Sequence, residues 1–232
     1  MSGGVIAIDG PSASGKSSTA RAVAEALGYA HLDSGALYRG VTLVALREAK
    51  RRGAGDPLAP GPEAILRAAE DRGLRLHPDG VGFAAYLDGE PVDAALRAAE
   101  VTRHVSAVSA VPVIREWVNA YLRQLVRAGQ NVVVDGRDIG TVVFPDADLK
   151  VFLTASPTTR AGRRLSQRGQ RNIPEEVDRE AALLEGRDRA DSSRPVAPLR
   201  RADDALELDT TSMTFEEAVG WILDRARAVF GR

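Results

Sequence analysis

Gly10-Pro11-Ser12-Ala13-Ser14-Gly15-Lys16-Ser17-Ser18 matches the spacing G-x-x-x-x-G-K-[ST], and its surroundings restrict the fold more than any other stretch of the chain. The apolar run Val5-Ile6-Ala7-Ile8-Asp9 before it reads as a buried strand, and Thr19 to Gly28 after it reads as a helix ending at glycine. Strand, glycine loop and helix, in that order, predict backbone N–H groups turned inward onto phosphate oxygens at a helix N-terminus. Lys16 then reaches the β- and γ-phosphates, and the Ser17 hydroxyl ligates magnesium. Lys16, Lys50 and Lys150 are the only lysines among 31 basic residues. In so arginine-biased a chain, a lysine inside the loop carries weight: a thin ammonium fits a crowded phosphate cradle where a planar guanidinium does not. The plain alternative, a Gly/Ser-rich turn, sits poorly between a strand and a helix.

Further apolar runs predict core strands at residues 29–33, 131–135, 149–154 and 205–209, with helical patterns between or after them. This alternation predicts an α/β fold, a P-loop parallel β-sheet core with helices on both faces. The last helix is expected from Phe215 to Val229, opened by Thr214 and with Glu216 and Glu217 in its first turn. One segment breaks the rhythm. Residues 53–61 are rich in Gly and Pro, and residues 74–76, 82–87 and 91–92 read as short antiparallel strands joined at Pro78-Asp79-Gly80 and Asp88-Gly89. A small β-rich insert over about residues 56–110, carried by a single domain of residues 1–232, is the expectation.

The net charge of −1 argues against a nucleic-acid polymer as partner. With no cysteine there are no disulfides, thiolate metal sites or cysteine nucleophile, which fits a cytoplasmic protein. The first strand begins close to the start of the chain, leaving no expected signal peptide, and no apolar run is long enough to span a bilayer. His31, His77 and His104 show no ligand spacing and are assigned no role.

Several charged groups fall where strand ends meet a ligand crevice in such sheets. Ser34 follows the second strand and is placed to cap the next helix, with Arg39 about one and a half turns further on. Asp135-Gly136-Arg137-Asp138 follows three consecutive valines, where charges are costly unless they meet ligands or each other. Asp135 suits magnesium held through water, and Arg137 suits a phosphate. Arg160, Arg163, Arg164, Arg168 and Arg171 share one face if residues 159–171 are helical; their repulsion would be relieved by a polyanion. Arg187 and Asp191 lie four apart, a pattern that in isolation is most often a surface ion pair, and Pro195 ends that helix before Arg194. Ser106, on a turn before the helix opened by Pro112, and Arg115 form a weaker pair of candidates.

Taken together, Gly10 to Ser18, Asp33-Ser34-Gly35-Ala36-Leu37-Tyr38-Arg39, the run from Asp135 to Ala147 and Arg194-Pro195-Val196-Ala197-Pro198-Leu199 resemble the bacterial cytidylate kinases, nucleoside-monophosphate kinases of the P-loop class, over essentially the whole chain. The resemblance implies transfer of the γ-phosphoryl group of ATP to CMP or dCMP, with ATP and Mg2+ required, by a cytoplasmic monomer with no membrane partner. It implies a monophosphate-binding insert and a helical lid at about residues 156–175 that carries Arg160 and Arg164. It implies that Ser34, Arg39, Arg137, Arg187, Asp191 and Arg194 hold the ribose and phosphate of the acceptor, and that Ser106, Arg115 and Asp138 read cytosine. Lys16, Arg137, Arg160, Arg164 and Arg194 are the expected catalytic cations. Two departures stand out: Ser17 follows the loop lysine where related kinases often have glycine, and Ala190 occupies a position where arginine is common, with Arg189 beside it.

The chemistry is compatible with these groups. A monophosphate oxygen, with a second pKa of about 6, is largely ionised at neutral pH and needs no general base. Transfer then rests on positioning and charge neutralisation. Cytosine offers an amino donor at N4 that a carboxylate accepts, and an acceptor at N3 that an arginine satisfies; uracil reverses both. The competing readings are a kinase for AMP, UMP or shikimate, and a nucleotide-dependent switch. The Asn-Lys-x-Asp string of a guanine reader does not occur.

Overall fold

The computed structural model describes residues 3–126 and 129–231. In chain order the elements are β1 (Val5–Asp9), α1 (Lys16–Leu27), β2 (Ala30–Asp33), α2 (Ser34–Arg51), α3 (Pro62–Asp71), β3 (Arg75–Asp79), β4 (Gly82–Leu87), β5 (Glu90–Pro91), α4 (Asp93–Leu96), α5 (Ala99–Ser109), α6 (Pro112–Val126), β6 (Val132–Gly136), a π-helical turn (Ile139–Val143), β7 (Leu149–Thr154), α7 (Pro157–Gln167), α8 (Pro174–Ser193), β8 (Leu206–Asp209) and α9 (Phe215–Phe230). They fall into two compact units, Met1–His31 with Gly129–Arg232, and Leu32–Ala128.

The first unit is built on a five-stranded sheet of order β2-β6-β1-β7-β8, in which β1 pairs parallel with β6 and β7, and β7 with β8. The central strand β1 is the apolar run before the glycine loop. Ile6, Ala7 and Ile8 are all buried, because parallel strands are covered on both faces and so read as continuous rather than alternating hydrophobicity. Helix α1 packs on β6 and α9, while α7 and α8 pack on each other. Helix α9 begins where its sequence predicts. The Thr214 hydroxyl accepts the Glu217 N–H and the Glu217 carboxylate accepts the Thr214 N–H, a reciprocal capping box.

The second unit contains the predicted irregular segment. β3, β4 and β5 form an antiparallel sheet, with turns at Gly80 and at Asp88-Gly89, both in left-handed conformation. Helix α2 packs against α3 and α5 over a core that includes Ile65, Leu76, Leu87, Val108 and Ile114.

Four local expectations are corrected. Helix α1 opens at Lys16, inside the loop motif, rather than at Thr19. Asp33, not Ser34, caps α2: its carboxylate accepts the Gly35 N–H at 2.8 Å, and Ser34 is the first helical residue. Ser106 lies within α5 rather than on a turn. The five-arginine face is shorter than expected, since α7 stops at Gln167, Arg168 is its cap and Gly169 turns the chain out with φ 68°. Arg160, Arg163 and Arg164 remain on α7; Arg168 and Arg171 leave it. The end of α8 at Ser193, just before Arg194-Pro195, is as predicted.

Candidate active site

The loop between β1 and α1 is shaped by backbone demands that its residues meet. A Cβ on Gly10 would lie 2.1 Å from the Leu153 carbonyl oxygen, so only glycine lets the loop pass β7. Gly15 precedes α1 with φ 95°, and Ala13 is held at φ 58°, a conformation that costs an alanine of order 1 kcal/mol and marks a backbone fixed by its surroundings. Helix α1 has no side-chain cap hydrogen bond and no acidic residue in its first turn. Helix α9 has both, through Thr214, Glu216 and Glu217. With neither device present, the dipole of α1 favours an anion at its N-terminus. Ser14 Oγ is buried with no hydrogen-bond partner among the described residues. Lys16, itself buried, folds back so that its Nζ donates to the Pro11 carbonyl at 2.9 Å.

Behind the loop, Ser17 Oγ donates to Asp135 Oδ2 at 2.5 Å. Asp135, at the end of β6, is almost wholly buried, and its Oδ1 lies 2.8 Å from His31 Nε2. The next residues of this strand end are also tied. Arg137 donates from Nε to Asp191 on α8 at 3.1 Å and from Nη2 to Ser12 Oγ at 3.0 Å. Asp138 pairs with Arg194 Nη2 at 3.4 Å, both side chains buried. Arg194 Nε also donates to the Ala197 carbonyl at 2.5 Å. Asp9, at the end of β1, accepts the N–H groups of Ile139 and Gly140, each at 2.8 Å, and so holds the π-helical turn directly after Asp138. Burial, aided by the charge of Asp138, pushes Asp9 up to about 6, against the pull of those two N–H groups and of Lys16.

Arg160 and Arg163 of α7 reach the same loop. Arg160 is buried; it donates to the carbonyls of Ala155 at 3.0 Å and Ser12 at 2.9 Å, and pairs with Asp188. Asp188 also accepts the Ser12 N–H at 2.8 Å. Arg163 donates to the Ser14 carbonyl at 3.2 Å and to Thr210. Arg164 donates to Gln167 at 2.9 Å along its own helix. Arg187 has a buried Nε with no hydrogen-bond partner among the described residues. Burial, and then the charge of Arg137, lower its pKa from the ordinary arginine value. Arg187 thus lies within electrostatic reach of Arg137 and of Asp191, whose carboxylate pairs with Arg137, and such a pair of guanidinium groups suits a phosphate.

The structure therefore groups Lys16, Ser17, Asp135, Arg137, Asp138, Arg160, Arg187, Asp191 and Arg194 around the loop in the first unit. Ser34, Arg39, Ser106 and Arg115 belong to the second unit. There, Arg39 donates to the Leu96 carbonyl and to Thr102 Oγ1, each at 3.0 Å. Arg115 is buried on α6, donates to the Ser109 carbonyl at 3.0 Å and lies over the Tyr38 ring at 5.2 Å. Asp9, His31 and Asp188 are the polar residues that sequence reasoning missed. Asp191 is not the partner of Arg187 in a surface ion pair: its carboxylate is turned to Arg137.

A glycine loop between a parallel strand and an uncapped helix, backed by a buried carboxylate and a ring of arginines, defines a phosphate-loop kinase fold. The description of the cytidylate kinase family matches residues 6–228, and the chain belongs to that family. It is 44 % identical over 216 residues to the cytidylate kinase of Streptomyces griseus subsp. griseus, covering 93 % of this chain and 89 % of that one. It is 42 % identical over 219 residues to the cytidylate kinase of Shouchella clausii, covering 94 % of each. Among solved structures, an uncharacterized protein from Eubacterium ventriosum shares the fold with a TM-score of 0.50 and 12 % identity, over 97 % of this chain and 98 % of that one.

Proposed function

We propose that the family reaction, transfer of the γ-phosphoryl group of ATP to CMP or dCMP to give ADP and CDP or dCDP, runs here on the groups just described. The observation that carries this reading is the pairing of two anion sites in one unit: the uncapped N-terminus of α1 for the donor, and the Arg137–Arg187 cluster for the acceptor phosphate. An acceptor oxygen attacks the γ-phosphorus, and the bond from that phosphorus to the β,γ-bridging oxygen breaks as ADP leaves. Lys16 and the loop N–H groups hold the donor phosphates, while Arg137, Arg160, Arg164 and Arg194 offset the charge that gathers on the transferring group. The protein supplies no base because the ionised acceptor needs none.

The donor set fits Mg2+. Ser17 and Asp135 offer hard oxygens. The Ser17–Asp135 hydrogen bond takes up the hydroxyl proton and leaves an oxygen lone pair for a cation. Among the described residues no group of three or more His, Cys, Asp or Glu could hold a metal by itself, so phosphates and water would have to complete the shell. When bound, Mg2+ neutralises charge on the β- and γ-phosphates.

Base reading by Asp138, Ser106 and Arg115, acceptor contacts by Ser34 and Arg39, the monophosphate role of residues 56–110 and the lid role of residues 156–175 belong to the same proposal. So does action as a cytoplasmic monomer. An ADP-release assay across CMP, dCMP, UMP, AMP and shikimate tests the reading. Turnover of CMP and dCMP well above the rest is expected; AMP or UMP at the rate of CMP overturns the base-reading roles.

A further inference from the structure

The buried contact between His31 and Asp135 has no part in the proposed transfer, yet it joins β2 to the carboxylate nearest the loop hydroxyl. His31 is the second residue of β2, and 104 positions separate it from Asp135. The histidine is 8 % exposed and the carboxylate 1 %. A carboxylate accepts hydrogen bonds, so the imidazole hydrogen that this contact uses sits on Nε2, 2.8 Å from Oδ1. The other carboxylate oxygen, Oδ2, receives the Ser17 hydroxyl at 2.5 Å. The two oxygens therefore have separate tasks: one is anchored to the sheet, and the other orients the loop.

We propose that His31 is a positioning residue for cation binding. By fixing Oδ1, it keeps the plane of the Asp135 carboxylate turned so that Oδ2 holds the Ser17 proton. This keeps a Ser17 lone pair aimed outward as a ligand. The inference rests on the reading of Ser17 and Asp135 as the magnesium-side groups of the loop. An apolar side chain at position 31 would remove the hydrogen bond to Oδ1 and loosen the carboxylate about its Cβ–Cγ bond. Ser17 would then have a less ordered acceptor, and the cation a less ordered ligand. Loss of an outer-shell partner of this kind typically weakens metal binding about 10- to 100-fold. A purely structural role for His31 predicts instead a lower melting temperature with cation affinity unchanged.

The experiment measures Mn2+ affinity directly, by the electron paramagnetic resonance of the unbound ion, for the full chain with a non-hydrolysable ATP analogue present. Wild type, H31M and H31Q are compared, with analogue affinity in the absence of metal as a second readout. The expected result is a dissociation constant for Mn2+ raised about tenfold in H31M and within twofold of wild type in H31Q, whose amide can still donate. Analogue binding without metal is expected to be unchanged in both. If H31M does not fold, H31N replaces it, since its amide is too short to reach Asp135, and the same loss is expected. Equal Mn2+ affinity in wild type and in the donor-deficient variant overturns the assignment of His31 while leaving the magnesium-side reading intact. Failure of Mn2+ to bind wild type in the presence of the analogue overturns both.

Discussion

Asp188 accepts the backbone N–H of Ser12 at 2.8 Å with one carboxylate oxygen and pairs with Arg160 through the other, so a single side chain on α8 bridges the phosphate loop and α7. Arg160 is 5 % exposed, and it also donates to the Ala155 and Ser12 carbonyls. D188A leaves this guanidinium buried without its carboxylate, which is expected to destabilise the fold by about 3 kcal/mol. The loop N-terminus also loses an anchor, so KM for ATP should rise. Urea denaturation and the ADP-release assay check the two parts separately. Stability within about 0.5 kcal/mol of wild type would show that Asp188 does not carry the bridge.

Replacing Lys16 separates chemistry from folding. K16M substitutes an apolar chain of similar length for a buried ammonium that donates to the Pro11 carbonyl, so the nucleotide-free protein should lose no more than about 1–3 kcal/mol and stay folded. Removing the donor-side charge should lower kcat by about 10²- to 10³-fold. A fall in kcat that merely tracked a fall in melting temperature would count against the role.

Asp138 is proposed to accept from the cytosine amino group, and it is buried against Arg194. In D138N the side-chain amide can turn either way, donating to uracil O4 as well as accepting from cytosine N4. The ratio of kcat/KM for CMP over UMP should therefore fall about 10- to 100-fold, with part of the change a gain on UMP. An unchanged ratio would place base discrimination elsewhere.

Asp9 gives the protein a pH dependence of defined sign. Its carboxyl is raised to about 6 in the fold from 3.8, chiefly by burial. The folded state thus binds the proton more tightly than the unfolded state. The stabilising contribution is fully present below pH 3.8, declines as pH rises through about 6 and is absent above it. Its full extent is about 3 kcal/mol. D9N cannot titrate, so the stability of wild type minus that of D9N should fall by about this amount between pH 4 and pH 7. Urea midpoints across that range check it, and a constant difference would show that Asp9 stays ionised throughout.

Elements whose cause is local could be read from the chain in advance. Thr214 with Glu217 three residues on marks the start of α9, Asp88-Gly89 marks a hairpin turn, and the unbroken apolar run of β1 marks a central parallel strand. The early end of α7 carried a local signal that the expected arginine face through Arg171 passed over: Gly169 stands where a helix can end in left-handed conformation. The links around the site are of another kind. Asp9 meets Gly140 across 131 positions, His31 meets Asp135 across 104, and Asp188 meets Ser12 across 176. No periodicity or cap signals such a contact; it exists only once the sheet order brings the strand ends together. Motif spacing thus pointed to the candidate site residues, but not to the side chains that hold them in place.

On the proposed function, the uncapped start of α1 would make a bound nucleotide part of the secondary structure. An ordinary helix is finished by its own chain, as α9 is by Thr214. Helix α1 has neither a side-chain cap nor an acidic first turn, and in the proposed reaction its first N–H groups are met by a molecule from solution. The stability of this fold is then a function of metabolite concentration, growing as RT ln(1 + [L]/Kd) with each phosphate-bearing ligand that completes the turn. A cell rich in ATP would keep the protein folded as a side effect of keeping it supplied.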